Sequence, residues 1–365
     1  MKVLFLPLYS RLGGSSRYMI YDYLEFFRNA GIECEVAPLF DEAYHRTVGS
    51  FAMSTRFQDI LMHWSYYRRR LMDRLRWIWN SDPFDMVVLE KELLPYFPYG
   101  AEKFLKKNRR KLVTLFDDAV HSYYSNHPNR MVRFLSTRKI ESIIRLSDHV
   151  IVWNSYLAEY ALRHNRHVTV VNTGVDLRRY RIKDYNGHQA SDRVVIGWIG
   201  TPNSYPYIRD LEEVFARLAE RYPVELRIVS SENYNSKNIK VDNRRWSLET
   251  EVDDLCSFDI GIMPLPSNEW AKGKSGCKAV QYLAVGVPAV CSPVGITGEI
   301  VRNGVNGFLA NTPLEWFTNL SHLIENPVLR RQLGLAGQKL VENTYSIQAV
   351  APYLIETLKT VGRKH

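Results

Sequence analysis

At 365 residues, 45% hydrophobic and 24% charged, the chain is long enough for two cored domains, and no uninterrupted apolar stretch approaches the roughly twenty residues of a spanning helix. A formal net charge of +9 implies an anionic partner, from which nucleic acid is set aside because no helix-turn-helix, zinc-finger or RNA-recognition signature is present. Cys34, Cys256, Cys277 and Cys291 have no C-x-x-C spacing and lie in apolar surroundings, which reads as reduced thiols of a cytoplasmic protein without zinc or disulfides.

The first residues, Met1-Lys2-Val3-Leu4-Phe5-Leu6-Pro7-Leu8, are too short an apolar run for a signal peptide and read as a first buried strand. Strand patterns at 2–6, 33–37, 86–89, 111–115, 149–152 and 168–171 alternate with helical patterns, the mark of parallel α/β sheets. After the first strand comes Ser10-Arg11-Leu12-Gly13-Gly14-Ser15-Ser16-Arg17, then a predicted helix at 18–30. This Gly-rich turn is similar to a dinucleotide-type loop but lacks the full G-x-G-x-x-G pattern; a glycine pair that merely turns the chain is the other reading.

A predicted helix over 57–79 carries two different faces. At about 100° per residue, Phe57, Ile60, Leu61, Trp64, Tyr67, Leu71, Leu75 and Ile78 form one apolar stripe suited to the core. The other side holds Met62, Tyr66 and Trp77 beside Arg69 and Arg70, and five arginines (Arg68, Arg69, Arg70, Arg74, Arg76) face one acid, Asp73. Arginine with aromatics suits an anionic bilayer surface; a solvated basic helix or a subunit interface is the competing reading.

Two strand ends carry charge. The strand at 111–116 runs into Asp117-Asp118-Ala119-Val120-His121, and the one at 86–89 into Glu90-Lys91-Glu92. Groups at the carboxyl ends of parallel strands lie where such sheets take ligands, although acid pairs also cap helices. A polar linker follows at 178–192. Beyond it, strands are predicted at 194–199, 225–229, 260–263, 289–291 and 307–309, and helices at 207–221, 249–257, 278–285, 297–303, 313–326, 327–344 and 347–361.

The densest signal lies between Met263 and Glu299. A strand ends in a loop rich in Pro, Gly and Lys, a helix opens near Ser275, and a buried strand follows Gly286-Val287-Pro288. A helix N-terminus offers unpaired N–H groups and a positive dipole end, so Lys274 and Lys278 flanking Ser275-Gly276 make a candidate cradle for a diphosphate. Solvated lysines and ordinary helix-stop punctuation are the plainer reading.

Over roughly 194–345 the chain resembles the retaining glycosyltransferases of family four. Their pattern E-x-F-G-x-x-x-x-E-A-M-A-x-G-x-P-V-V is matched in its second half by Gln281-Tyr282-Leu283-Ala284-Val285-Gly286-Val287-Pro288-Ala289-Val290, and Gly295, Glu299, Gly304, Asn306, Gly307 and Leu309 continue it. The stretch Val171-Asn172-Thr173-Gly174-Val175-Asp176 resembles the family's N-x-G-V-D near its domain junction. The departures are specific. The family's two glutamates fall on Gly273 and Gln281, and its Arg and Lys after the first strand of this domain are replaced by Gly200-Thr201-Pro202-Asn203. The resulting G-K-x-x-x-K-x-x-Q-Y pattern looks like a sub-branch with its phosphate charge moved to Lys274 and Lys278.

The resemblance implies an α/β, GT-B architecture: two Rossmann-like parallel-sheet domains facing a cleft. An acceptor-binding domain would cover 1–180, joined by a C-terminal helix at 346–365 crossing back to it, and a nucleotide-sugar donor-binding domain 190–345. It implies a retaining, metal-independent transfer from a nucleotide-diphosphate sugar to a hydroxyl of a glycan or lipid-linked acceptor, in the cytoplasm and at the inner membrane face, with no further cofactor. Asp117, Asp118 and His121 become the catalytic candidates, Asp117 holding the position of the relatives' histidine. Gly13, Gly14, Ser15, Gly200, Thr201, Trp246, Lys274, Ser275, Gly276, Lys278 and Gln281 become the donor-site candidates, with Trp246 by the nucleobase or a core anchor. Gln281 retains an acceptor for a ribose hydroxyl. The alternatives are a nucleotide-sugar epimerase or hydrolase of the same fold and a non-catalytic nucleotide-sugar or lipid-binding protein.

Overall fold

A computed structural model describes residues 1–47, 64–136, 138–185 and 193–363, without the side chains of 45–47 and 107–109. Phe57, Ile60, Leu61 and Met62 of the predicted 57–79 helix, and 186–192 of the predicted linker, lie outside the described residues. The chain divides into two compact units: Met1–Asn172 with Lys272–Ser275 and Val350–His365, and Thr173–Ala271 with Gly276–Ala349.

The first unit holds a six-stranded parallel sheet of β1 (Lys2–Leu6), β2 (Glu33–Val36), β3 (Met86–Glu90), β4 (Lys111–Phe116), β5 (His149–Val152) and β6 (Val168–Val170), in the order β2-β1-β3-β4-β5-β6. β3 is buried along its whole length, as its unbroken apolar run requires of a strand covered on both faces. Strand order reverses between β1 and β3, and that point, at the carboxyl ends, is where the loop after β1 meets Glu90 and Lys91.

The second unit repeats the plan with β7 (Val194–Ile199), β8 (Val224–Ser230), β9 (Val241–Arg245), β10 (Ile260–Met263), β11 (Ala289–Cys291) and β12 (Gly307–Leu309), ordered β12-β11-β10-β7-β8-β9. Here the reversal falls between β7 and β10, and the helix Cys277–Ala284 follows the loop after β10. Trp198, Phe215, Leu218 and Leu320 are among the side chains that fill its core.

Several elements differ from the sequence pattern; the predicted helix at 207–221, for one, divides into Tyr205–Arg209 and Glu212–Arg221. β9 reads Val-Asp-Asn-Arg-Arg, too polar to announce a strand; it sits at the sheet edge, where Arg227 Nε reaches Asp242 Oδ2 at 2.6 Å and Arg244 Nη1 reaches Asp254 Oδ1 at 2.9 Å. The predicted helix at 18–30 begins earlier, at Gly14, and breaks at Ile20 (φ −133°, ψ −62°) before resuming at Leu24–Asn29.

The basic helix, Trp64–Trp79, is turned differently from its apolar stripe. Arg74 is buried, donating to Ala37 O at 3.0 Å and Pro7 O at 2.6 Å, and Arg70 donates to Leu39 O at 2.8 Å and Pro38 O at 2.7 Å. These carbonyls follow β1 and β2, and satisfying them overrides the apolar periodicity. Tyr66 donates to Asp41 Oδ1 at 2.9 Å, so Arg70 and Tyr66, expected on the outer face, are tied inward. The exposed face instead carries Trp64, Arg68, Met72, Arg76 and Trp79 together with Arg69, and Trp64 is not a core residue.

Two glycines permit close packing in the second sheet. A Cβ on Gly197 would lie 2.0 Å from the Phe258 ring, and one on Gly261 would lie 2.4 Å from the Tyr282 ring. Tyr282 is held in place, its hydroxyl accepting from Ile199 N at 3.3 Å and donating to Ile262 O at 3.1 Å. Gly261→Ala is expected to lower stability by about 1–3 kcal/mol, the range for overpacked cores. Gly298→Ala, whose Cβ would meet nothing within 4 Å, should change it by less than about 0.5 kcal/mol. Urea midpoints of the two variants check this; equal midpoints would contradict it.

Candidate functional site

In the first unit the site grows from the end of β3. Glu90 is fully buried, and its Oε2 accepts from Leu8 N at 2.9 Å and from Ser16 Oγ at 2.5 Å. Ser16 also accepts from Tyr9 N at 3.0 Å, so its hydroxyl serves the interior rather than a ligand. Gly13 is required by packing, since a Cβ there would lie 2.3 Å from Tyr9 Cβ, whereas Gly14 opens onto free space. Ser15 turns toward the charged cluster, accepting from Lys91 Nζ at 3.4 Å.

Lys91 has a left-handed backbone (φ 58°), an uncommon state for a side chain of this kind and one that clusters at functional sites. Its ammonium lies 2.8 Å from Asp117 Oδ1 and 3.1 Å from Asp118 Oδ2. On the other side of Asp118, Lys274 Nζ lies 3.3 Å from Oδ1. Burial alone would raise the Asp118 carboxyl, but Lys274 and Lys91 together hold it well below the usual carboxylate range, while the acid pair holds Lys91 charged. Sequence reasoning named Asp117, Asp118 and Lys274 and grouped Lys91 only with its acidic neighbours. Glu92 goes elsewhere, into a buried pair with Lys139 at 2.6 Å and a hydrogen bond from the Tyr124 hydroxyl at 2.6 Å.

The loop that carries Lys274 is clamped by Asn154, which caps the helix Ser155–Leu162 by accepting from Leu157 N at 2.8 Å and donates Nδ2 to Lys274 O at 3.1 Å. Gly273 lies against Ala119, where a Cβ would come within 2.5 Å of Ala119 Cβ and 2.6 Å of its backbone nitrogen. No side chain fits there, which is the physical reason this position holds no carboxylate. Ser275 is half-buried at the end of this segment. His121 lines the same small cavity as Asp118 and is stacked on Tyr160 with ring centroids 3.7 Å apart.

In the second unit Gly276 takes a left-handed turn (φ 70°) as the N-cap of Cys277–Ala284 and offers no capping side chain, so first-turn N–H groups are not capped by it. Lys278 lies on that first turn with Nζ 4.8 Å above the Trp198 ring, and a Cβ on Gly200 would come within 2.8 Å of the Lys278 side chain. Thr201 beside Gly200 is exposed. Lys274 and Lys278 thus engage different partners, Asp118 and Trp198. Gln281 is buried and donates Nε2 to the Tyr180 hydroxyl at 3.1 Å. Tyr180 in turn donates to Glu251 Oε1 at 2.8 Å, and Trp246 Nε1 donates to Glu251 Oε2 at 2.9 Å. Trp246 and Gln281 therefore meet through Tyr180 and the buried Glu251, neither of which the sequence patterns indicated.

Residues 193–326, within the second unit, match the family described as Glycosyl transferases group 1. No curated protein matches the chain in sequence. Among solved structures the chain is similar to sucrose-phosphate synthase from Thermosynechococcus elongatus, with a TM-score of 0.72 at 12% identity over 99% of both chains. It is also similar to Anabaena HepE in complex with UDP and glucose (TM-score 0.71, 16% identity, 99% of this chain and 100% of that one). A lipopolysaccharide outer core galactosyltransferase, WaaB, gives 0.59 at 13% identity over 99% of both. These likenesses and the two six-stranded sheets define a GT-B fold, and the match to glycosyl transferases group 1 lies within the second unit.

Glu90 generates a pH dependence. Burial pushes its carboxyl up to about 7 from an ordinary 4.5, against the lowering effect of Lys91. Between these values the native state keeps a proton that the unfolded chain releases, so this group's contribution to stability is full below pH 4.5 and is lost as pH rises through 7. The difference corresponds to about 3 kcal/mol. Glu90→Gln keeps the acceptor for Leu8 and Ser16 and removes the titration. Relative to wild type, the variant should gain stability from pH 4.5 to 8 in unfolding measurements; a constant difference across that range would contradict the assignment.

Proposed function

We propose that this protein is a retaining glycosyltransferase that moves a sugar from a nucleoside-diphosphate sugar to an acceptor hydroxyl, without a metal ion. The observation that carries the reading is the match to glycosyl transferases group 1, within which a helix start with glycine at its N-cap, Lys278 and the side-chain-free Gly200 come together. Helix N-terminal N–H groups and a lysine are suited to diphosphate oxygens, and Gly200 lets a ligand approach the backbone. The complex of Anabaena HepE with UDP and glucose supports a UDP-sugar as the donor class.

As the anomeric bond breaks, negative charge gathers on the departing diphosphate and positive charge on the sugar ring. Fixed cations and dipoles aimed at those charges supply most of the rate in such sites. Lys278 takes the phosphate role in this reading. Gln281, oriented by Tyr180, takes a ribose hydroxyl. Asp117, beside the Lys91 ammonium, meets the acceptor hydroxyl, and Asp118 stays ionised to orient Lys274, with His121 at the margin.

The direct test is incubation of the full chain with UDP-glucose and with the guanosine, adenosine and thymidine analogues, with and without glycan acceptors, reading product anomeric configuration by NMR. Free sugar or an epimer without acceptor would favour hydrolysis or epimerisation, and binding without turnover a non-catalytic role. Lys278→Ala should weaken UDP binding about tenfold or more, the value of one charge-assisted contact, while leaving uridine binding unchanged. Asp117→Asn should lower kcat strongly with little change in UDP affinity; unchanged turnover in Asp117→Asn would remove it from the reaction.

The acceptor class is assigned to the membrane surface through the exposed face of Trp64–Trp79. Trp64 and Trp79 are 58% and 64% exposed, Met72 lies between them, and Arg68, Arg69 and Arg76 flank them. No helix among the described residues is long and apolar enough to cross a membrane, so contact would be interfacial. Arg68→Glu/Arg69→Glu should abolish co-sedimentation with vesicles containing phosphatidylserine while leaving UDP affinity intact. Wild-type binding should fall as salt rises. Failure of the wild type to sediment at low salt would exclude this assignment.

A further inference from the structure

A second concentration of positive charge lies in the first unit at the opposite edge of its sheet. The starts of β4 and β5 and the residues leading into β6 line an open cavity of about 520 Å³, while Lys91 and the acid pair stand at the strands' carboxyl ends. Lys106, Lys111, Arg145 and Arg166 line it. Asp148 is on the wall as well but is already committed: its Oδ2 lies 2.6 Å from Lys106 Nζ and accepts from Leu112 N at 2.7 Å. Arg145 pairs with Glu141 at 2.8 Å. Lys111 and Arg166 have no acidic partner among the described residues.

The wall is rigid and rich in donors. Asn165 donates Nδ2 to Ile144 O at 2.9 Å and Ser147 O at 2.7 Å, and its Oδ1 accepts from His167 N at 2.9 Å. The helix Lys139–Leu146 ends here, and its last carbonyls would repel an anion; Asn165 occupies two carbonyls at that end. His149, His164 and His167 add imidazoles, His149 being oriented by a 2.8 Å bond to Thr169 Oγ1. Apolar surface is confined to Leu146 and Val361, which is too little for an acyl chain, while the volume suits a small molecule.

We propose that this cavity is a second binding site, separate from the transfer chemistry, for a compact phosphorylated anion: a phosphate monoester or a diphosphate, held chiefly by Lys111 and Arg166. The two unpaired cations supply charge, and the imidazoles and fixed backbone orient several oxygens at once. The site requires nothing of the donor reading above.

Titration calorimetry of the full chain with inorganic pyrophosphate and with glucose 6-phosphate tests it, using wild type, Lys111→Ala/Arg166→Ala and Lys278→Ala. At least one probe should bind wild type and Lys278→Ala with the same affinity and bind the Lys111/Arg166 variant at least tenfold more weakly. Read in Lys278→Ala, tighter glucose 6-phosphate binding identifies a phosphate ester as occupant, and tighter pyrophosphate binding a diphosphate. The proposal is overturned if neither probe binds wild type, or if the Lys111/Arg166 variant binds as well as wild type. Should the alanine pair fail to fold, Lys111→Gln/Arg166→Gln is read in the same way.

Discussion

Charge buried at the carboxyl end of β3 organises the first unit. The Glu90 carboxyl group, shut away from water, needs hydrogen-bond partners, and its Oε2 takes them from Leu8 N and Ser16 Oγ. Reaching it requires the chain after β1 to turn tightly at Gly13 and to begin its helix at Gly14, with Ser16 facing inward. The next residue, Lys91, adopts a left-handed backbone that brings its ammonium to Asp117 and Asp118. Asp118 then draws in Lys274, and Asn154 fixes that loop by its backbone. These contacts give the buried polar groups at the ends of β3 and β4 partners from several parts of the chain.

Packing and hydrogen bonding also limit what can stand at Gly273 and Gln281. At Gly273 the loop presses so closely on Ala119 that even a methyl group would clash. At Gln281 the buried carboxamide donates a hydrogen bond to the Tyr180 hydroxyl, which donates one to Glu251. A carboxylate at 281 could not donate to the Tyr180 hydroxyl, so the amide is the group that fits. The buried Glu251 carboxylate thus reaches Gln281 through the Tyr180 hydroxyl.

Excess positive charge is divided by role rather than spread evenly. Arg70 and Arg74 are structural, donating hydrogen bonds to the carbonyls that follow β1 and β2. Arg68, Arg69 and Arg76 face solvent with two tryptophans. Lys91 and Lys274 serve the acid pair, and Lys111 and Arg166 face the cavity at the other sheet edge. Net charge alone pointed to an anion; only the burial of each cation tells which are available to bind one.

The sequence by itself determined the parallel α/β class and most strand positions, because strands buried on both faces must be continuous apolar runs: 2–6, 149–152, 194–199, 260–263, 289–291 and 307–309 coincide with observed strands. It also singled out Asp117, Asp118, Lys274 and Lys278, since charge at strand ends and helix starts is a local pattern. β9 escaped because a polar edge strand is held by its neighbour and by ion pairs rather than by apolar burial. Tertiary structure decided the direction of the basic helix, because hydrogen bonds to distant carbonyls outweighed its periodicity. It also decided the partners: Lys91 with the acid pair, Lys278 with Trp198, Tyr180 and Glu251 behind Gln281, and the cavity of Lys111 and Arg166. Those depend on which groups are brought within a few ångströms across more than twenty residues of chain, and local spacing carries no record of that.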